Sequence, residues 1–89
     1  MRKVACSIHD AKDDTYSAPV FYNSVVDAIF EFCKDIEGDN SEMASRPADF
    51  NLFQIGFWDE KKCRLIVSRS LLFVGSKAAD VVLHLSVNQ

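Results

Sequence analysis

RPADFNLFQIGFWDEKK, residues 46–62, is the stretch that decides the fold. From residue 50 to residue 58 it is rich in aromatic and branched apolar side chains, which favour β-strands. The polar residues 59–62 then predict a turn, and residues 63–68 predict a second strand. The two strands and the turn between them indicate a β-hairpin.

The side chains of the first hairpin strand should alternate between two faces. We expect Phe53, Ile55 and Phe57 to form the row that faces the core, with Leu52 packed as well. Trp58 and the lysines of the turn are then the members of this stretch that remain available to contact a ligand.

Upstream of the hairpin the sequence predicts a strand, a loop and a short edge strand. Val4, Cys6 and Ile8 alternate with other residues over positions 3–9, which is the period of a half-buried strand. Residues 10–19 are polar and contain Pro19, so we expect a loop. Residues 20–22 should form a short strand at an edge, because the preceding proline tolerates only an edge or a strand start.

A helix should follow, capped by Asn23 or Ser24 and ended by Gly38 in a left-handed backbone conformation. Its apolar stripe has helical spacing and comprises Val25, Ala28, Ile29, Phe32, Cys33 and Ile36. Such a stripe on a single helix predicts that one side of the helix packs against a sheet.

The remaining segments are less regular. Residues 39–47 predict a loop or an irregular turn. After residue 68 we expect a short strand to Val74, and then Ser76 capping a short C-terminal helix that contains Ala79, Val81 and Val82. A strand over residues 81–87 is the alternative. The order of elements predicts a single domain over residues 1–89, an α+β fold in which a small antiparallel sheet packs against one main helix.

The composition is that of a globular protein confined to a reducing compartment. Of 89 residues, 48% are hydrophobic and 26% charged, and the net charge is −3. Three widely spaced cysteines, Cys6, Cys33 and Cys63, argue against disulfides and against a zinc site, so we expect them to be reduced and mostly buried. We also expect no signal peptide and no membrane span, since no apolar run approaches about 20 residues.

Nothing in the sequence indicates catalysis, a metal or a cofactor. His9 and His84 have no recognisable nucleophile nearby, and we interpret His9 as an ordinary exposed histidine at a strand end. Gly56 and Gly75 lie in no pattern that would cradle a phosphate. The protein is therefore not expected to be an enzyme.

Binding to single-stranded nucleic acid requires cations for the phosphates and exposed rings on which bases can stack. The candidate cations are Lys61, Lys62, Arg64 and Arg69 around the hairpin, with Arg2, Lys3 and Lys12 at the other end. The candidate rings are Tyr16, Tyr22 and Trp58. The residues selected for a nucleic-acid site are Lys12, Tyr16, Trp58, Lys61, Lys62, Arg64 and Arg69.

Asp27, Glu31 and Asp35 recur every fourth residue along the predicted helix. This row is either an ordinary solvated helix face or an acidic surface for a protein partner. A basic strip around the hairpin would favour DNA, whereas an uninterrupted acidic helix face would favour a protein.

Two motifs resemble the small nonstructural protein of gokushovirus-type Microviridae, which are single-stranded DNA phages. SIHDAKDDTYSAPVF matches in order at Asp10, Ala11, Lys12, Tyr16, Pro19 and Phe21. RPADFNLFQIGFWDEKK is the more specific match, at Pro47, Asp49, Phe50, Leu52, Phe53, Ile55, Gly56, Trp58 and Asp59. The resemblance covers roughly residues 4–75.

The resemblance implies a phage nonstructural protein of the infected bacterium's cytoplasm that binds single-stranded DNA and assists genome replication. One departure is the helix, which usually carries basic residues in that family but here has only Lys34 as a base. The alternative is an effector that docks on a host replication or defence protein through its acidic helix. A homodimer joined edge to edge through an unpaired strand is compatible with either function.

Overall fold

The computed structural model describes residues 2–38 and 42–78, which form an antiparallel five-stranded sheet with one main helix on one of its faces. The strands are β1 Arg2–Asp10, β2 Thr15–Tyr16, β3 Val20–Tyr22, β4 Phe50–Asp59 and β5 Arg64–Val74. The helices are α1 Val25–Ile36 and α2 Glu42–Ser45, with 3-10 helices at Pro47–Asp49 and Gly75–Lys77. The predicted α+β class is confirmed.

The sheet is built around β1, which pairs with β4 on one side and with both β2 and β3 on the other. β4 pairs in turn with β5. The predicted edge strand at residues 20–22 is confirmed, since β3 pairs with β1 alone among the described strands. The expected loop over residues 10–19 contains β2, and part of the segment after residue 41 is helical. The hairpin's second strand continues to Val74, although its register with β4 shifts twice.

Helix α1 begins at a side-chain cap, as predicted. The Ser24 hydroxyl accepts a hydrogen bond from the backbone N–H of Asp27 at 3.1 Å, which decides between the two candidate caps. The helix ends before Gly38, but the left-handed conformation expected there is wrong, because Gly56 is the glycine with a positive φ in the described chain. Glu37 instead ends the helix with a backbone hydrogen bond to Cys33.

The core lies between α1 and the sheet face that α1 covers. Phe32 of the helix meets Phe73 of β5 edge to face, with ring centroids 6.3 Å apart. The most deeply buried members are Val4, Cys6, Ala28, Phe32, Cys33, Ile36, Phe50, Leu52 and Ala78. Every predicted member of the helix stripe is buried or packs against this cluster.

The predicted core row of β4 is wrong, and a β-bulge is the reason. Phe50 and Leu52 enter the core, whereas Phe53 lies on the opposite face of the sheet. The pairing of β4 with β1 shifts at Ile55, which is inserted between Gln54 and Gly56. Because one extra residue reverses the alternation, Phe57 pairs with Val4 on the helix-covered face while Phe53 does not.

Two turns at opposite ends of the sheet have the same construction. Residues 11–14 join β1 to β2, and residues 60–63 join β4 to β5. The carboxylate of Asp10 accepts the N–H of Lys12 at 3.0 Å, and that of Asp59 accepts the N–H of Lys61 at 3.1 Å. Each turn therefore displays lysine side chains at one end of the sheet.

The three cysteines are free, and two are buried. Burial raises the pKa of the Cys6 thiol to about 11 and also raises the pKa of Cys33. The prediction that the cysteines are mostly buried is wrong for Cys63, which is exposed in the β4–β5 turn.

At the C-terminal end, Ser76 lies inside the 3-10 helix Gly75–Lys77, and that helix has no side-chain cap. The predicted helical residues Ala79, Val81 and Val82, the alternative strand at 81–87 and His84 all lie outside the described residues. Over residues 2–38 and 42–78, no helix combines the length and the apolar character needed to cross a bilayer.

Candidate nucleic-acid interface

The sheet face opposite α1 carries most of the exposed rings, and we call it the open face. Along β1, Val4, Cys6 and Ile8 contact the core, so the alternating residues point to the other side. Residues directly opposite in an antiparallel pair share a face. The open face therefore contains Lys3, Ser7 and His9 of β1 with their partners Trp58, Phe53 and Tyr16, and also Phe21, the partner of Ala5.

One end of the open face holds a group that we call the Tyr16 cluster, made of His9, Tyr16, Phe53 and Arg69. The rings of His9 and Tyr16 lie 4.4 Å apart at a tilt of 33°, and the ring of Phe53 meets Tyr16 at 5.8 Å. The Arg69 guanidinium lies 4.8 Å from the Phe53 ring and 5.2 Å from the Tyr16 ring. The cluster combines a ring surface with a fixed positive charge.

Hydrogen bonds hold the two-residue strand β2 against β1. Ser17 accepts the Ile8 N–H on its hydroxyl at 2.9 Å, and the Ser7 hydroxyl donates to the Ser17 carbonyl at 2.7 Å. His9 Nε2 lies 2.8 Å from a carboxylate oxygen of Asp14. These contacts position Tyr16, whose side chain remains accessible because the residue is 43% exposed.

The other end holds a second group, the Trp58 cluster, made of Lys3, Phe21, Trp58 and Glu60. These residues line an open depression of about 290 Å³. The rings of Phe21 and Trp58 are 6.4 Å apart and inclined at 62°, so they form two sides of a notch. Phe21 is 46% exposed.

Between and beside the two clusters, β5 adds exposed apolar side chains. Leu65 pairs with Trp58, Val67 with Gly56 and Leu71 with Phe53. All three are exposed, Val67 most of all at 78%. The open face is thus apolar and aromatic along its length, which is an arrangement typical of a binding surface.

The residues predicted for a nucleic-acid site separate into three groups. Tyr16, Trp58 and Arg69 lie on the open face. Lys12, Lys61 and Lys62 are exposed in the turns at its two ends. The remaining residue, Arg64, pairs with Asp59 on the helix-covered side of the sheet.

Arg69, expected around the hairpin, lies in the middle of its second strand, β5, over two rings. Two other expectations about individual residues are wrong. Tyr22, expected to be exposed, packs against the core. The His9 side chain is only 16% exposed and pairs with Asp14.

The acidic residues Asp27, Glu31 and Asp35 are exposed on α1, on the side of the molecule away from the open face. The row is interrupted by Lys34, whose ammonium lies 3.6 Å from the Glu31 carboxylate. Burial, and then the charge of Glu31, raises the pKa of Asp35. Val26 and Phe30 are exposed beside the row, at 59% and 38%.

Sequence reasoning missed His9, Phe53 and Phe21 as members of the surface. His9 could have been placed there, because the core positions of β1 are the even-numbered ones and His9 alternates with them. Phe53 could not, because its face depends on the bulge at Ile55. In the part of the chain described, no three histidine, cysteine or acidic side chains are grouped so that they could hold a metal ion.

The fold and this surface define a small α+β protein with one helix-covered sheet face and one ring-bearing face. The chain belongs to the Phage ORF5 protein family, whose model matches residues 3–79. It is thus a phage protein. Neither a curated protein nor a solved structure matches the chain.

Proposed function

We propose that the protein binds single-stranded DNA on its open face, without catalysis or a cofactor, as an accessory of phage genome replication in the cytoplasm of the host bacterium. The observation that carries this proposal is the Tyr16 cluster, in which an arginine lies directly over two of three contacting rings. Non-specific recognition of single strands uses this pairing of flat side chains with cations.

The Tyr16 cluster suits a base and a phosphate at the same time. Tyr16 offers an exposed ring, and its stacking on His9 limits the side-chain entropy lost on binding. The guanidinium of Arg69 is planar and carries several donors, so it can stack on a base or bind phosphate oxygens. Removal of one base-stacking ring typically costs about 1–3 kcal/mol of binding free energy.

The distribution of charge explains how a chain with net charge −3 could bind a polyanion. Lys3 and Arg69 lie on the open face, and Lys12, Lys61 and Lys62 flank it in the turns. Asp27, Glu31 and Asp35 lie on the helix, across the sheet from the open face. The same turns also carry the exposed acids Asp13, Asp14 and Glu60, so the five cations of this side exceed its exposed acids by two. A strand of DNA would therefore be attracted more to this side of the molecule than to the helix side.

The first test is fluorescence anisotropy of a labelled single-stranded oligonucleotide over a series of salt concentrations. We expect Tyr16→Ala and Arg69→Ala each to weaken binding by about fivefold or more, because each removes part of the stacking surface. If Arg69 also contacts a phosphate, Arg69→Ala lowers the slope of log affinity against log salt by about 0.7.

The matched control is Lys34→Ala, which removes the same charge from the helix on the opposite side. It should leave affinity within about twofold of wild type, since charges separated by more than a Debye length are largely screened. Equal losses in Lys34→Ala and Arg69→Ala would mean that only net charge matters, and would contradict a site on the open face. Absence of binding at low salt would contradict the function itself.

The exposed Val26 and Phe30 beside the acidic row favour a second candidate, docking of a host replication or defence protein on α1. Apolar side chains bordered by carboxylates suit a partner with a basic rim around an apolar centre. A host protein retained by wild type and by Arg69→Ala, but lost from a Val26→Ser/Glu31→Lys variant, would support this candidate. Equal retention by all three would exclude it.

A further inference from the structure

We propose that the Trp58 cluster is a subsite for one nucleobase and that Glu60 makes it prefer cytosine to thymine. The inference rests on the proposed single-stranded DNA binding and adds a base preference to it. It starts from the depression of about 290 Å³ lined by Lys3, Phe21, Trp58 and Glu60. Two walls of this depression are aromatic and two carry opposite charges.

The geometry of the two rings suits a base that stacks on one of them, but not a base inserted between them. At a centroid separation of 6.4 Å and an angle of 62°, no flat ring can lie parallel to both Phe21 and Trp58. A base stacked on one ring instead presents its edge towards the other, which is a favourable arrangement for aromatic groups. The notch therefore sets the orientation of the base as well as its position.

The polar walls differ in what they can accept or donate. A carboxylate such as that of Glu60 only accepts hydrogen bonds, and the Lys3 ammonium only donates them. Cytosine carries an exocyclic amino group, and glutamate is a common acceptor for it. Thymine has a carbonyl oxygen at the same place, so its lone pairs would face the carboxylate.

The position of the depression makes it continuous with the proposed interface. Lys3 and His9 lie on the same face of β1, six residues apart in sequence, which places the two clusters about 20 Å from each other along the strand. Lys61 and Lys62 are exposed in the turn that follows Glu60. A single strand crossing the Tyr16 cluster could therefore reach the Trp58 cluster and continue towards these lysines.

The test uses the fluorescence of Trp58, which is the one tryptophan in the chain. Titration with oligo(dC) and oligo(dT) should quench this fluorescence, and the wild type should bind oligo(dC) about three- to tenfold more tightly, the range expected of one net hydrogen bond. Glu60→Gln should reduce this ratio to about one, because an amide can donate to the thymine oxygen as well as accept from cytosine.

The control is Asp13→Asn, which neutralises an exposed acid in the other turn and should leave the cytosine preference unchanged. Anisotropy measured in parallel distinguishes a failure of the Trp58 subsite from a failure of DNA binding as a whole. Binding detected by anisotropy with unchanged Trp58 fluorescence overturns the subsite but leaves the function standing. A ratio near one in the wild type overturns the base preference, and no binding by either method overturns both.

Discussion

At the scale of single residues, the two turns each end in a left-handed residue that is not glycine. Asp14 has a φ of 53° and Cys63 a φ of 49°. Aspartate is among the residues that tolerate this region, because its short side chain can bond locally, and Asp14 bonds to His9. Cysteine has no such advantage, so the β4–β5 turn holds strain that the β1–β2 turn does not.

Replacing Cys63 with asparagine should therefore stabilise the protein. We expect Cys63→Asn to raise the free energy of unfolding by about 0.5–1 kcal/mol, since asparagine adopts the left-handed region more readily. The measurement is the midpoint of urea denaturation. Cys63→Ser is the matched control because it removes the same thiol without that backbone preference, and an equal gain in both variants would contradict the explanation.

At the scale of elements, the bulge in β4 determines which residues face the open side. It depends on Gly56, whose φ of 158° is rare for residues with a side chain. A Cβ atom at this position would overlap the carbonyl oxygen of Ile66 in the neighbouring strand. Gly56 therefore permits both the close approach of β5 and the reversal of alternation between Phe53 and Phe57.

Gly56→Ala should destabilise the protein by about 2–3 kcal/mol, as expected for a strained backbone together with a steric clash. Chemical denaturation would measure this change. Gly38→Ala serves for comparison. A Cβ atom at Gly38 would lie 3.3 Å and 3.4 Å from the carbonyl oxygens of Asp35 and Lys34, and the backbone of Gly38 is not left-handed. A cost at Gly56 no larger than that at Gly38 would show that β5 can move away from β4 without penalty.

At the scale of the whole molecule, Arg46 connects parts of the chain that are distant in sequence. Its guanidinium lies 3.2 Å from the Asp10 carboxylate at the end of β1 and 3.0 Å from that of Asp49. It also reaches Glu42 at 3.5 Å and lies over the Phe50 ring at 5.0 Å. The segment between α1 and β4 is in this way attached to the sheet.

The same contact predicts a pH dependence of stability. The hydrogen bond from Arg46 lowers the pKa of Asp10 below 3.8. A carboxyl group with a lowered pKa stabilises the folded state above its unfolded pKa, and this contribution is lost as pH falls through the folded value. Arg46→Gln should therefore be less stable than wild type at neutral pH, and the difference in stability should begin to shrink below about pH 4 and vanish below the lowered pKa of Asp10.

Urea denaturation of both proteins between about pH 7 and pH 2.5 would measure that convergence. Lys34→Gln is the comparison, because Lys34 forms an exposed ion pair with Glu31 and its replacement should change stability little at any pH. A constant difference between wild type and Arg46→Gln over the whole range would mean that Arg46 stabilises through packing on Phe50 rather than through Asp10.

Local patterns in the sequence were enough to predict most elements of the fold. The helix α1, a cap at Asn23 or Ser24, the edge strand β3 and the hairpin of β4 and β5 all follow from periodicity, capping and turn residues within a few positions. The short strand β2 and the helix Glu42–Ser45 were missed, because such short elements persist through contacts with the rest of the molecule rather than through their own sequence.

The sequence by itself determined the α+β class, the residue types available for binding and the row of three acids along the helix. Only the tertiary structure decided that His9, Tyr16, Phe53 and Arg69 come from four strands to one place. It also decided that Arg64 lies away from them. The physical reason is that a strand's alternation predicts faces only while its register is unbroken, and the bulge at Ile55 exchanges the faces of every residue beyond it.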